Sequence, residues 1–255
     1  MTGDPFASSW SEQAGGAAKM RLISIALSQG VYATAVEIKL APTAITYWRQ
    51  PGEAGVPPEF SFAGSENVAS TEILYPAPSR LDEGGIEAFG YRGGVTFPIR
   101  VRPADAKKPA RLALTLNYAI CDRICVPAKG HVELLLPQSG DSPGGAAIAA
   151  AMARVPSVLP AAELADKVAI RVQTGQAKPH WVLVWRGDRP AADLFAEGPE
   201  GWAFETRKTA ENTFSLAAVE TPANSAAGVS VRLTLTGPGK PYEFTLPLAV
   251  GLGAR

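Results

Sequence analysis

The sequence predicts an all-β fold of two β-sandwich units joined by a short helical linker. Three observations carry this expectation. Apolar and polar residues alternate over many short stretches, the period of a strand with one buried face. Glycine (25) and proline (22) are frequent and fall between those stretches, where turns are needed. One segment alone, residues 146–154, has the alanine-rich composition of a helix.

The elements follow in order. Residues 1–19 are small and polar and are expected to be flexible. A first unit is expected over 20–140. In it Val36, Ile38 and Leu40 alternate with Glu37 and Lys39, and residues 43–48 continue in aromatic, β-branched style. Gln50-Pro51-Gly52-Glu53-Ala54-Gly55-Val56-Pro57-Pro58 reads as an ordered turn-rich loop, because proline fixes φ and glycine admits positive φ. Val95, Phe97, Ile99 and Val101 form a clear strand, and Pro98 within it predicts an edge position or a bulge. Two further strands follow, Leu112/Leu114/Leu116/Tyr118 and Val132/Leu134/Leu136, which read as a hairpin with the cysteine pair at its open end. Residues 141–164 are expected to link the units. A second sandwich over 165–255 is read from Val168/Ile170/Val172, Trp181 to Trp185, Phe214/Leu216, Val229 to Leu235 and Tyr242 to Leu248.

Composition excludes several functions. Acidic and basic residues balance at 24 each without blocks of like charge, which argues against a nucleic-acid partner. There is no apolar run of membrane-spanning length. No nicotinamide or flavin fingerprint is present, so no cofactor is expected. The polar start Ala7-Ser8-Ser9-Trp10-Ser11-Glu12 reads like the mature end of a secreted protein whose signal has been removed.

The chemistry centres on the two cysteines, Cys121 and Cys125, in Tyr118-Ala119-Ile120-Cys121-Asp122-Arg123-Ile124-Cys125-Val126-Pro127. Three readings stay open. A structural bridge would close a loop of about five residues and stabilise by only about 2 kcal/mol, a weak staple. A redox-active pair suits a short surface bridge, and exchange proceeds through an accessible thiolate. Arg123 favours that thiolate and Asp122 opposes it, while Pro127 and the strand context leave no helix N-terminus to activate it. A soft metal site such as Cu(I) would add His131 to Cys121 and Cys125.

Further stretches carry a resemblance. They are Thr46-Tyr47-Trp48-Arg49-Gln50-Pro51-Gly52 with Pro57-Pro58-Glu59-Phe60, Gly64-Ser65-Glu66-Asn67-Val68, Tyr75-Pro76-Ala77-Pro78-Ser79-Arg80, Phe89-Gly90-Tyr91 and the cysteine segment. Together they resemble the periplasmic N-terminal (alpha) domain of DsbD-type thiol:disulfide interchange proteins, particularly the ScsB-like form. The match covers residues 20–137 well and the second half more loosely, through Asp193-Leu194-Phe195 to Gly201-Trp202.

The resemblance implies an immunoglobulin-like sandwich in the periplasm. It implies a cysteine pair that takes electrons from a thioredoxin-like domain, supplied through a transmembrane domain. That pair passes them to periplasmic disulfide isomerases or oxidoreductases, and Cys125 is attacked first with Cys121 resolving. Relatives shield the pair with a cap, for which the candidates here are Tyr47, Phe60, Phe89, Tyr91 and Tyr118. ScsB-like relatives are also associated with copper tolerance. The rivals to this reading are a β-sandwich binding or assembly module with an inert bridge and a Cu(I)-handling protein.

Overall fold

The computed structural model describes residues 4–53, 55–176, 178–223 and 228–249. Ala54 of the turn-rich loop, and the ends of the expected first and last segments, lie outside them. The chain divides into two units, Met1–Arg154 and Val155–Arg255. Both are β-sandwiches of the immunoglobulin-like kind. Among the described residues, no helix is long and apolar enough to cross a membrane.

The first unit holds strands β1 (Ser11–Gln13), β2 (Ala18–Ser24), β3 (Tyr32–Leu40), β4 (Ile45–Gly52), β5 (Glu59–Ser61) and β6 (Val68–Ile73). It continues with β7 (Ser79–Glu83), β8 (Ile86–Arg92), β9 (Gly94–Pro103), β10 (Ala110–Cys121) and β11 (Cys125–Leu136). One sheet runs β1-β2-β3-β9-β6 and the other β11-β10-β4-β8-β7, with β5 paired to β10. Strand structure begins at Ser11, before the Met20 at which alternation becomes readable, because Ser11–Gln13 folds back on Ala18–Met20. The core collects Met20, Leu22, Val36, Phe97, Ile99, Leu112, Leu114 and Leu116, all buried. Each such side chain contributes roughly 1.5–3 kcal/mol on leaving water.

Pro98 corrects one expectation. It sits in a central strand between β3 and β6, with no edge and no bulge at that residue. Its carbonyl accepts from Leu74 N at 2.8 Å, just past the end of β6. The N and C=O of one strand residue point the same way, so the missing N–H faces a place where the partner ladder has stopped.

Helix α1 (Gly145–Arg154) lays Ile148 against Ile23 and Ala35 of the first unit. The second unit holds β12 (Ser157–Val158), α2 (Ala161–Lys167), β13 (Val168–Val172), β14 (His180–Trp185) and β15 (Asp193–Glu197). It ends with β16 (Ala203–Ala210), β17 (Thr213–Glu220), β18 (Val229–Thr236) and β19 (Tyr242–Leu248). Its sheets run β12-β19-β18-β15 and β13-β14-β17-β16, around Trp181, Leu183, Phe214, Leu216, Leu233 and Phe244. Helix α2 packs Leu164 on that core, a helix too short for its composition to announce.

Candidate functional site

β10 and β11 form one continuous antiparallel ladder from Ala110↔Leu136 to Cys121↔Cys125. The cysteines are its last pair, at the turn end rather than the open end, and Asp122-Arg123-Ile124 make the turn. Directly paired residues on antiparallel strands bring their Cβ atoms close, so the register itself makes the bond available. The two sulfurs are joined in a disulfide, with the Cα atoms 4.0 Å apart.

Strand parity decides what surrounds this bond. Leu112, Leu114, Leu116, Tyr118 and Ile120 point into the sandwich, so Cys121 points to the opposite face. On β4, Thr46 and Trp48 alternate with Ile45 and Tyr47. The latter two join Leu81, Ala88 and Cys121 in a small apolar cluster separate from the main core. Gly90 permits the close approach of β8 to β4, since a Cβ there would lie 2.1 Å from the Thr46 carbonyl oxygen.

The two sulfurs differ in access. Cys121 is 2% exposed, while Cys125 is exposed at the surface. Tyr47 Oη lies 2.7 Å from Cys121 Sγ and 3.7 Å from Cys125 Sγ. The same hydroxyl donates to Glu83 Oε2 at 2.7 Å. Burial first, then the hydrogen bond and charge of Glu83, hold the Tyr47 phenol well above its ordinary pKa. It therefore stays protonated and acts as a hydrogen-bond donor. The other oxygen of Glu83, Oε1, lies 2.7 Å from Cys125 Sγ.

Of the five aromatic candidates, the structure brings Tyr47 to the disulfide. Phe60 packs edge-on to Tyr75 and Phe97. Tyr91 packs on Phe97 and donates to the Pro76 carbonyl at 2.7 Å. Tyr118 donates to Gln13 Oε1 at 3.1 Å. Phe89 is buried, with the Arg80 guanidinium 5.2 Å from its ring centroid. The residue missed by the sequence reading is Glu83. Its strand pairs with β8, and only the β4–β8–β7 order carries it to the cysteines.

The turn-rich loop also covers the site. Gly55 lies flat on Tyr47: a Cβ there would be 2.5 Å from Tyr47 Cδ1 and 2.4 Å from Pro51 Cβ. Beside it opens a cleft of about 680 Å³, lined among others by Val56, Pro57, Ala119, Cys125, Val126 and Pro127. Ile124, 77% exposed, and Val56, 58% exposed, add an apolar rim.

The Cys121, Cys125, His131 metal set is not assembled. His131 is engaged by Thr115 Oγ1 at 3.0 Å and Glu133 Oε1 at 3.1 Å. The group that does converge with the sulfurs is Glu83. With the sulfurs bonded to each other, neither offers a thiolate to a soft ion.

The family model described as "Thiol:disulfide interchange protein DsbD, N-terminal" matches residues 18–137. No curated protein matches the chain. Among solved structures, the N-terminal periplasmic domain of ScsB from Proteus mirabilis is similar at 23% identity and a TM-score of 0.74. That match covers 96% of this chain and 99% of the other. A chimeric titin Z1Z2 aligns over 96% of this chain and 98% of its own, at 11% identity and a TM-score of 0.20, too poor a superposition to carry an argument. The ladder that ends in a disulfide thus lies wholly inside the matched segment, and residues 18–137 belong to the family of N-terminal domains of DsbD-type thiol:disulfide interchange proteins.

Proposed function

We propose that the chain is a periplasmic thiol–disulfide exchange module that accepts electrons at Cys125 and passes them to periplasmic disulfide oxidoreductases or isomerases. The observation that carries this reading is the asymmetry of the bond. One sulfur is exposed, and the other is buried under a hydroxyl that stays protonated.

The steps follow from that asymmetry. A donor thiolate, from a thioredoxin-like domain fed through a transmembrane domain, attacks Cys125 Sγ. A mixed disulfide forms, the Cys121–Cys125 bond breaks, and its electron pair stays on Cys121. As the bond opens, the single O–H of Tyr47, which donates to Glu83 Oε2 while the disulfide is intact, turns to the leaving Cys121 thiolate 2.7 Å away. The donor's second thiolate then attacks the mixed disulfide and frees Cys125. The donor leaves as a disulfide, and two protons complete the dithiol. The same steps in reverse reduce the target. The apolar rim of Val56, Ile124 and Val126 supplies surface for a protein rather than for a small solute.

The test is the reduction potential of the Cys121–Cys125 pair, by equilibration with dithiothreitol and alkylation of free thiols. The expected value is in the range of exchange proteins, roughly −180 to −270 mV. A Cys121→Ser variant is expected to trap partners as mixed disulfides at Cys125. A potential below about −300 mV with no trapped partner would mark an inert bridge and overturn the proposal.

A further inference from the structure

Glu83 is placed where a carboxylate is least expected. Its Oε1 touches the sulfur that must be attacked, at 2.7 Å. A disulfide sulfur carries no hydrogen, so in the oxidised state this contact places an acceptor against an electron-rich atom. It becomes an S–H···O hydrogen bond only after reduction. The carboxylate is held in place from the other side, because Tyr47 Oη donates to Oε2 at 2.7 Å. Among the described residues no lysine or arginine pairs with it, whereas the nearby Glu87 is paired with Arg80. Its negative charge is therefore presented to whatever approaches Cys125.

The carboxylate stands at the edge of an exposed hairpin turn. Glu83 ends β7, and Gly84 and Gly85 follow with φ of 65° and 91°. That is left-handed backbone that glycine adopts without strain. A Cβ at either glycine would meet nothing within 4 Å, so the turn stands free of other packing.

We infer that Glu83 is a specificity-determining charge filter on Cys125. It repels anionic thiolates and yields to a protein partner whose attacking cysteine is flanked by a cationic or hydrogen-bond-donating group that draws the carboxylate off the sulfur. The inference rests on the exchange reading above and names what that reaction selects. A partner arriving with a cation replaces a repulsion by an ion pair. Glutathione, whose two carboxylates and thiolate outweigh its one ammonium, meets a net repulsion. Unit charges about 5 Å apart change a rate on the order of fivefold at the dielectric of water, and more at a protein edge.

The experiment uses the full chain, oxidised, with two small thiols at one pH: anionic glutathione and cysteamine, whose ammonium offsets its thiolate. Each thiolate attacks Cys125 Sγ, the Cys121–Cys125 bond opens, and a second equivalent releases the dithiol and the small disulfide. Opening is followed by alkylation, and rates are expressed per thiolate. They are then normalised to the same thiols acting on an uncharged small disulfide.

Wild type is expected to favour cysteamine about fivefold or more. Glu83→Gln should bring that preference close to one, and Glu83→Lys should invert it. Added salt should flatten the wild-type preference and leave Glu83→Gln unchanged. Loosening of the turn would speed both thiols equally and leave the ratio alone, so an unchanged ratio across the three proteins overturns the inference. A wild type opened by neither small thiol nor a thioredoxin-like dithiol overturns the exchange reading itself. A wild type that reacts without charge preference overturns only the role of Glu83.

Discussion

The hydroxyl of Tyr47 is a full ångström nearer to the sulfur of Cys121 than to that of Cys125, 2.7 against 3.7 Å. The phenol thus favours the buried sulfur as the one that leaves. Replacing it by phenylalanine keeps the ring in its cluster and removes the one hydroxyl that serves both Glu83 and the leaving sulfur. A hydrogen bond to a charged partner contributes about 1.5–3 kcal/mol, so Tyr47→Phe should slow opening of the disulfide by dithiothreitol at least about tenfold. Stopped-flow kinetics on variant and wild type read this directly, and equal rates would remove Tyr47 from the mechanism.

The bond itself should matter little to stability. It joins residues already paired at the end of a ladder of twelve residues per strand. Reduction, Cys121→Ser and Cys125→Ser should each cost about 2 kcal/mol or less by loop closure. Urea unfolding of the three forms checks it, and a loss of global folding would make the bridge a staple.

Gly55 is the contact through which the turn-rich loop rests on Tyr47. Gly55→Ala puts a methyl group into the space of the Tyr47 ring and Pro51. The loop should lift while the sandwich persists, and external thiols should open the disulfide several-fold faster. Alkylation rates after a dithiothreitol pulse measure the difference.

Four phenols, those of Tyr32, Tyr47, Tyr91 and Tyr118, give the fold an alkaline limit. Burial pushes Tyr118 up to about 12 and raises Tyr32, Tyr47 and Tyr91 above the ordinary 10.0. The folded chain then holds these protons more tightly than the unfolded one. Their contribution is fully present below about pH 10 and is lost as pH rises through the folded values. Urea midpoints should hold up to about pH 10 and fall as the pH rises from there toward about 12. Tyr118→Phe should make that fall shallower.

Leu183 is fully buried in the core of the second unit. Leu183→Ala should cost about 2–5 kcal/mol there. Calorimetry should show the transition of that unit moving down while the rate of disulfide opening stays at the wild-type value.

Much of this was legible in the sequence because β-strands write their burial with a period of two. The β10–β11 hairpin and the strands at Val95–Val101, 181–185 and 229–235 were readable for that reason. The same period explains what was missed at the site. Tyr118 is three residues from Cys121 on one strand, and an odd separation puts the two on opposite faces. Parity alone therefore sends Tyr118 to the interior, where its hydroxyl meets Gln13. Tyr47 and Glu83 reach the disulfide through the order of non-sequential strands, which no local pattern encodes. Asp82-Glu83-Gly84-Gly85 reads only as a turn. The fate of Pro98 was likewise hidden, because it depends on where a neighbouring strand stops.

The disulfide stands on the outer face of its sheet, within a cluster of a few residues detached from the main core. A bond that opens and closes on every turnover is a repeated mechanical load on its surroundings. Here the load falls on the hairpin tip, the Tyr47 ring and the turn bearing Glu83, while the interior leucines of β10 face the other way. The sandwich can serve as a stationary mount, with the reacting bond set apart from the leucines of its interior.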